Sequence, residues 1–269
     1  MADLITSAAN PLVRRMRLLA DRKHRRRESA YVVQGIQPVW QAVEAGAAIE
    51  TLVVAPGLLR HDGAAAMVAA QEAAGVSVAR LSDDLFTRLA DRDGPSGLAA
   101  IVRSQPRGLA DLAAGPGAVF VALHQAGNPG NLGTIVRTAS AAGADGVILI
   151  GPSADPYDPA AVKASMGALF TVPVAAATAE EFLAWAAGHD IRVIAASGRA
   201  EAGCWEANLE PPCALLLGSE GSGLPAGLIE AAGLHVSIPM TGTAESLNLA
   251  VAAGILLYEV RRRTGLPPR

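Results

Sequence analysis

The feature that most constrains the fold is a regular alternation of short apolar runs with alanine- and glycine-rich stretches of helical spacing. It is clearest where Ala118–Leu123 and Val147–Ile150 flank the stretch NPGNLGTIVRTASAAGADG, residues 128–146. Strands separated by helices pair in parallel, so this half is predicted to be α/β, with a parallel sheet covered on both faces. The predicted strands are 118–123, 147–150, 172–175, 191–195, 214–217 and 236–238, and a last helix covers 247–263.

The first half alternates in the same way on a smaller scale, and a turn-rich stretch separates the two halves. Residues 104–117, SQPRGLADLAAGPG, are rich in proline and glycine, which favour turns and connections. We therefore predict a small α/β domain over residues 1–105, a linker over 106–117 and a larger α/β domain over 118–269. A hydrophobic content of 51% is sufficient for two packed cores.

Several classes of protein are disfavoured by composition. The two cysteines, Cys204 and Cys213, cannot form a disulfide framework or a zinc site unaided, and they are predicted to be buried or idle thiols. No apolar span approaches the roughly 20 residues of a membrane helix, and the amino terminus lacks the apolar core of a signal peptide. We predict a soluble cytoplasmic protein.

A basic segment stands out in a protein whose net charge is −3. Residues 14–27 contain eight basic side chains and one acid, and 12–27 is predicted to form a basic amphipathic helix. Such a segment gives affinity for nucleic acid through counterion release, although it is also compatible with an ordinary solvated helix face. The candidate RNA contacts are Arg14, Arg15, Arg22, Lys23, Arg25, Arg26 and Arg27.

Polar, glycine-containing loops follow three predicted strands of the second half. Ligands of parallel α/β sheets bind beyond the carboxyl ends of the strands, so these loops are predicted to form one site. Each loop alone also fits an ordinary turn or helix cap, and Asn131 is predicted to be the N-cap of the helix after the first strand. The candidate residues are Asn131, Arg137, Gly218, Glu220, Ser246 and Asn248.

A nicotinamide-binding loop is a poor match for the first of these segments. Its glycines lie at 127, 130 and 133, which is not the G-x-G-x-x-G spacing of dinucleotide-binding folds. The acid nearest the required offset, Asp155, lies beyond the next predicted strand. An oxidoreductase is therefore disfavoured.

Taken together, the three loops resemble the three motifs of the SpoU (TrmH-like) family of RNA ribose 2′-O-methyltransferases. The matching segments are NPGNLGTIVRTASAAGADGVILIG, LLLGSEGSGLP and IPMTGTAESLNLAVAAGILLYE, and the similarity covers residues 118–263. The amino-terminal part resembles the L30e/L7Ae-like RNA-binding domain that is often attached to this family. The segments VVQGIQP and YDPAAVKASMGALFTVP are most similar to ribosomal-RNA methyltransferases that protect antibiotic producers from their own drugs.

The resemblance implies a catalytic domain with a carboxyl-terminal trefoil knot, S-adenosylmethionine (SAM) as co-substrate and no metal. It also implies a homodimer with the active site near the subunit interface. Carried over by position, the catalytic motif residues are Asn131, Arg137, Glu220, Ser246 and Asn248. The positions that frame the cofactor are Leu217, Gly218, Ile238, Met240, Leu247 and Asn248.

The family mechanism gives Arg137 a role in activating the ribose 2′-hydroxyl. An arginine has a pKa above about 12 and is therefore a poor base. Two roles are considered for Arg137: a base, or a cation that binds an RNA phosphate and activates the hydroxyl electrostatically. Glu220 is interpreted as orienting Asn131 or Arg137. Ser246 and Asn248 are interpreted as positioning the ribose and the methionine end of SAM.

The predicted function is SAM-dependent methylation of a ribose 2′-hydroxyl in RNA, with large-subunit (23S) rRNA favoured over tRNA. The sequence leaves open whether the methylation is a housekeeping modification or confers drug resistance. A tRNA 2′-O-methyltransferase and a catalytically silent RNA-binding protein of the same fold stay as alternatives.

Overall fold

The computed structural model describes residues 4–90 and 94–264, and the chain divides into two compact units. The first unit contains the chain up to Gln105 together with Tyr157–Phe170, and the second contains Pro106–Pro156 and the chain from Thr171. The stretch predicted to be a linker, 106–117, belongs to the second unit. There Leu109–Asp111 forms a 3-10 helix, and a strand-like bridge joins Arg107 to Ala175.

The first unit is built on a four-stranded mixed sheet with the order β1-β4-β2-β3. Strand β4 is antiparallel to both of its neighbours, and β2 and β3 are parallel. The pairing is mixed because the last strand inserts between β1 and β2 instead of extending the edge. The elements are α1 (Pro11–Leu18), α2 (Arg22–Glu28), β1 (Ala30–Gln34), α3 (Ile36–Glu44), β2 (Ile49–Val54), α4 (Asp62–Ala73), β3 (Ser77–Arg80), α5 (Asp83–Leu89), β4 (Leu98–Arg103) and α7 (Pro159–Ser165).

Both faces of this sheet are covered, as the alternation along β4 shows. Ile101 points to one face and belongs to a buried cluster with Met16 and Phe86. Its neighbour Ala100 points to the other face and belongs to a second cluster with Val39 and Val162. Each fully buried large apolar side chain contributes roughly 1.5–3 kcal/mol relative to exposure, so the two clusters hold the helices to the sheet.

The basic segment does not form the single helix predicted over 12–27. It is interrupted after Leu18, and α2 begins at Arg22 because Asp21 acts as its N-cap. The Asp21 carboxylate accepts a hydrogen bond of 2.7 Å from the Lys23 backbone N–H. A good capping residue thus competes with the helical periodicity and starts a new helix.

The second unit contains a six-stranded sheet with the order β10-β8-β9-β5-β6-β7, in which every strand pair is parallel. The prediction of an α/β domain with a parallel sheet is confirmed. The elements are β5 (Val119–His124), α6 (Pro129–Ala141), β6 (Gly146–Ile150), β7 (Val174–Ala177), α8 (Ala179–Gly188), β8 (Arg192–Ala196), β9 (Cys213–Leu217), α9 (Ala226–Glu230), β10 (Leu234–Val236) and α10 (Leu249–Thr264).

The strand order places two of the three candidate loops side by side. Leu123 near the end of β5 is paired with Leu217 at the end of β9, so the loops after these strands start as neighbours. Strand β10 lies at the edge of the sheet and is separated from β9 by β8. The chain after β10 must therefore return across the ends of the strands to reach the same place.

Helix α10 completes this return by packing against α6. The two helices face each other at Gly254, where an added Cβ atom would lie 3.5 Å from the Thr138 methyl group, an ordinary contact distance. At the far end, the Arg261 guanidinium donates to the carbonyls of Ala142 and Gly143, where α6 ends. Arg261 thus satisfies the carbonyls of a neighbouring helix, rather than only complementing the dipole of its own helix.

None of the helices in the described ranges combines the length and the apolar character that a membrane-spanning segment needs.

Candidate functional site

The loop after β5 is held by Asn128, which is the N-cap of α6. Its side-chain oxygen accepts hydrogen bonds from the backbone N–H groups of Gly130, at 2.8 Å, and Asn131, at 3.2 Å. Pro129 occupies the first helical position, where its missing N–H costs nothing. The prediction that Asn131 is the cap is wrong by three residues, and the Asn-Pro pair is the signal that would have located it.

Asn131 is therefore free to join the three loops through its side chain. Its amide NH₂ donates to the carboxylate of Glu220, and its carbonyl oxygen accepts a hydrogen bond of 3.1 Å from the amide of Asn248. These residues come from the loops after β5, β9 and β10. The structure thus brings three of the predicted site residues into one hydrogen-bonded chain, here called the Asn131 network.

The loop that carries Glu220 is a tight turn between β9 and α9. Its ends are joined by a backbone hydrogen bond of 3.0 Å from Gly223 to Ser219, and the hydroxyls of Ser219 and Ser222 lie 2.8 Å apart. A Cβ atom at Gly218 would overlap the backbone of Gly223 and of Leu224. Glycine is required at Gly218 because the turn folds back onto it, which sets the position of Glu220.

Asn248 performs two tasks at the start of α10. Its side-chain oxygen accepts hydrogen bonds from the backbone N–H groups of Ala250, at 2.9 Å, and Val251, at 3.3 Å, as a helix cap does. Its NH₂ group donates to Asn131 in the same conformation. Asn248 is therefore both a helix cap and a member of the Asn131 network, because capping through its oxygen directs its NH₂ group toward Asn131.

The other predicted site residues lie near members of the Asn131 network in the sequence. In the described part of the chain, no side-chain hydrogen bond joins them to the network. Ser246 is exposed, and Leu247 and Ile238 are half-buried. Met240 is exposed, with 40% of its surface accessible. Leu217 is the buried last residue of β9.

Arg137 lies on α6, about 9 Å along the helix axis from Asn131 by the rise of an α-helix. It is exposed, and no hydrogen bond or ion pair joins its guanidinium to any residue in the ranges 4–90 and 94–264. The structure therefore does not place Arg137 in the Asn131 network. It leaves a cationic side chain available to a ligand on the same helix.

The cations of the basic segment differ in their exposure to solvent. Arg25 is only 4% exposed, so its guanidinium is part of the protein interior and not a contact for RNA. Arg15 forms ion pairs of 2.8 Å with Glu28 and 2.7 Å with Glu50. The exposed members are Arg14, Arg22, Lys23, Arg26 and Arg27.

Both cysteines are buried free thiols, and burial raises the pKa of each. Within the described ranges, no cluster of three histidine, cysteine or acidic side chains is arranged to hold a metal ion.

Comparison with known proteins identifies the class to which this fold and site belong. A model of the SpoU rRNA methylase family matches residues 118–258, which contain the whole Asn131 network. A model of an MRM3-like substrate-binding domain matches residues 10–100. The chain belongs to the SpoU rRNA methylase family, and the predicted resemblance is confirmed.

Individual relatives match over nearly the whole chain. A 23S rRNA (uridine(2479)-2′-O)-methyltransferase of Streptomyces viridochromogenes is 31% identical over 91% of this chain and 87% of its own. A 23S rRNA (guanosine(2553)-2′-O)-methyltransferase of Bacillus subtilis is 28% identical over 96% and 98%. The crystal structure of an AdoMet-bound rRNA methyltransferase from Sinorhizobium meliloti superimposes with a TM-score of 0.87, at 36% identity, over 97% and 98% of the two chains.

Proposed function

We propose that this protein transfers a methyl group from SAM to a ribose 2′-hydroxyl of 23S rRNA. The observation that carries the proposal is the Asn131 network, which joins the three motif loops at the carboxyl ends of the strands. Ligand sites of parallel α/β sheets lie at this edge. The relatives described above are named as 23S rRNA 2′-O-methyltransferases, and one solved neighbour holds AdoMet.

The residues around the two later loops fit a nucleoside co-substrate such as SAM. The turn at Gly218 leaves no room for a side chain, which fixes the path of the backbone at the end of β9. Met240 supplies an exposed apolar surface of the kind that an adenine ring covers. When bound, SAM supplies an electrophilic methyl group. We assign its binding to Leu217, Gly218, Ile238, Met240, Leu247 and Asn248.

Within this site we assign activation of the ribose hydroxyl to Arg137. Its guanidinium is exposed and has no partner among the described residues, so it can bind an RNA phosphate through two parallel hydrogen bonds. The guanidinium, positioned beside the hydroxyl by that phosphate, stabilises the negative charge that develops on the 2′-oxygen as its proton passes to solvent and the oxygen bonds to the methyl group leaving SAM. The high pKa of arginines in general makes this clamp a better role than that of base.

The Asn131 network has a positioning role in this proposal. Glu220 accepts a hydrogen bond from Asn131 and keeps its amide oriented, and Asn131 in turn fixes the amide of Asn248. Asn248 and the exposed Ser246 are separated by one residue just before the start of α10. We propose that Ser246 and Asn248 hold the ribose and the methionine end of SAM at attack distance.

For RNA binding we propose the exposed cations of the first unit. Their affinity is independent of sequence because they contact phosphates, and it falls with salt. Burial removes Arg25 from the set predicted from sequence, and Arg15 is a weaker candidate because it is half-buried between Glu28 and Glu50. The proposed contacts are Arg14, Arg22, Lys23, Arg26 and Arg27.

The finer features of the fold and assembly also stay proposals. We propose an L30e/L7Ae-like fold for the first unit and a trefoil knot in the second, supported by the return of the chain from the edge strand to Asn131. A homodimer is supported by Val251 and Tyr258, which lie on one face of α10 and are 50% and 47% exposed. An rRNA substrate places the protein in the cytoplasm.

The test is methyl transfer from labelled SAM to 23S rRNA and, in a parallel reaction, to tRNA, followed by mapping of the methylated ribose. We expect label in 23S rRNA. Label in tRNA alone would select the tRNA alternative, and no label in either RNA together with intact RNA binding would select the silent RNA-binding protein.

The variant Arg137→Ala tests the assigned role. We expect at least a hundredfold loss of transfer and a SAM dissociation constant within about threefold of the wild type, since loss of a transition-state contact acts on rate. Arg107→Ala is the matched control, because Arg107 is an exposed arginine of the same unit outside the motifs. Equal activity of the two variants would remove Arg137 from the site.

A further inference from the structure

The first unit contains a cavity of about 410 Å³ that the SAM site does not use. Its interior is largely apolar, since the large side chains that line it belong to the core. Leu98 is fully buried, and Met16 and Phe86 are 6% and 3% exposed. The apolar lining residues are Met16, Leu19, Val32, Phe86, Leu98 and Val162.

Cations surround this apolar interior. Arg17 from α1, Arg88 from α5 and Lys163 from α7 line the cavity and are exposed to solvent. The polar lining also includes the side-chain amide of Gln34, at the end of β1. Arg17, Arg88 and Lys163 give this rim three positive charges.

A buried arginine braces the walls of the cavity. The Arg25 guanidinium donates to the carbonyls of Leu19, at 3.1 Å, and Ala20, at 2.6 Å, and it forms an ion pair of 3.3 Å with Asp158. Leu19 and Ala20 line one wall, and Asp158 is the N-cap of α7, which supplies Pro159, Val162 and Lys163 to another. Arg25 therefore positions the walls of the cavity.

These observations define the kind of ligand. An apolar interior is a poor site for a free phosphate or another small anion, because it offers no hydrogen bonds. A purely apolar ligand would make no use of the positive charge at the rim. A flat, largely apolar base attached to a charged phosphate matches both parts. The volume admits one nucleotide but not a duplex, and unpaired bases are the ones that proteins read in RNA.

We propose that this cavity receives one unpaired nucleotide of the RNA substrate, with its base in the apolar interior and its phosphates at Arg17, Arg88 and Lys163. The inference rests on the proposed function, because it takes RNA as the substrate. The cavity would add selectivity for the substrate. The exposed cations of the basic segment contact any phosphate, whereas the cavity admits only an unpaired base.

The first test fills the cavity and keeps the hydrogen bonds and the ion pair of Arg25. Ala20→Phe places a ring in the cavity from an exposed position and keeps the backbone carbonyl that Arg25 uses. Ala69→Phe is the matched control, since Ala69 is an exposed alanine of α4 that does not line the cavity. The measurement is filter binding of in vitro transcribed 23S rRNA in the absence of SAM.

We expect Ala20→Phe to raise the dissociation constant about tenfold or more, in the range observed for loss of one stacked base, and Ala69→Phe to change it less than twofold. At saturating RNA, kcat of methyl transfer by Ala20→Phe should stay within about threefold of the wild type. Equal dissociation constants for the two variants would overturn the proposal. If the wild-type protein binds 23S rRNA but transfers no methyl group, the proposed function is contradicted, whereas the proposal for the cavity still holds.

A second comparison tests the rim. Arg88→Gln should reduce the slope of log K against log salt by about one, because one phosphate contact is lost. Arg60→Gln removes the same charge from an exposed position of the same unit that does not line the cavity. An unchanged slope for Arg88→Gln, or the same change in both variants, would contradict a phosphate at this rim.

Discussion

Asn131→Asp is the sharpest test of the Asn131 network, because it changes one amide to a carboxylate of nearly the same shape. The carboxylate keeps the oxygen that accepts the 3.1 Å hydrogen bond from Asn248. It loses the NH₂ group that donates to Glu220 and places a second negative charge against that carboxylate. The variant therefore breaks one of the two links of the network and converts an attraction into a repulsion.

The size of the effect follows from these two changes. A hydrogen bond to a charged group contributes about 1.5–3 kcal/mol, and two unit charges about 4 Å apart in water repel by about 1 kcal/mol. Glu220 is exposed, so the aqueous figure for the repulsion applies and the lower part of the range is used for the hydrogen bond. The sum is about 3 kcal/mol, which corresponds to a loss of roughly 150-fold in kcat/KM if the network must be intact for catalysis.

The assay is kcat/KM for transfer of labelled methyl groups to 23S rRNA, with a double-mutant cycle as its internal check. Glu220→Gln removes the negative charge and supplies an NH₂ group that can donate to the aspartate at Asn131→Asp. The double variant should therefore recover most of the lost activity, although the direction of the hydrogen bond is reversed. A cycle of this kind isolates the interaction energy of the pair.

Asn128→Asp is the matched control, since it makes the same chemical change three residues earlier on the same helix. Asn128 caps α6 through its side-chain oxygen, which an aspartate retains, and a negative charge at a helix N-terminus is favourable. It should keep activity within about twofold. If Asn131→Asp loses no more activity than Asn128→Asp, or if Glu220→Gln fails to restore it, the network does not position the site.

Three further predictions concern other parts of the second unit. Gly218→Ala should raise KM for SAM about tenfold, because the added methyl group overlaps the turn at a cost of about 1–3 kcal/mol, whereas Gly221→Ala meets nothing within 4 Å and should leave KM unchanged. Glu259→Gln should lower Tm by roughly 5 °C at neutral pH. The pKa of Glu259 is lowered from 4.5 to about 2, chiefly by its hydrogen bond from Arg262, so this difference in Tm should persist above pH 4.5 and shrink as the pH falls toward 2. Burial raises the pKa of Cys213 to about 12, so mass spectrometry should find its peptide unmodified after native labelling with iodoacetamide at pH 8 and modified after labelling in guanidinium.

Much of the second unit was predictable because its signals are local. Each apolar run is long enough to form a buried strand, and polar residues stand where a strand ends. Two of the three loops meet because their strands, β5 and β9, are neighbours in the sheet. The third could not be placed from the pattern, since β10 lies at the edge and Asn248 reaches Asn131 only through a return of the chain. Strand order is a property of tertiary packing that periodicity does not contain.

The basic segment shows the opposite case, in which composition misleads. A run of arginines looks uniformly exposed in the sequence, and nothing local distinguishes Arg25 from Arg26. Arg25 is buried because three acceptors converge on it, namely the nearby carbonyls of Leu19 and Ala20 and the distant Asp158 carboxylate. An arginine can be buried when its donors are satisfied in this way, and the partner at position 158 cannot be inferred from residues 14–27.

Residues 157–170 explain why the compact units do not coincide with the predicted domains. They lie within the span matched by the SpoU family model, yet they pack with the first unit. The Tyr157 ring lies 4.6 Å from that of Tyr31, and Val162, 4% exposed, joins an apolar cluster of the first sheet. A fragment that ends at residue 105 would expose this cluster and leave the Arg25 guanidinium, buried in the whole chain, without its carboxylate partner, which is costly. The cavity would also lose Lys163 and one of its walls, so RNA binding by the first unit has to be measured on the whole chain.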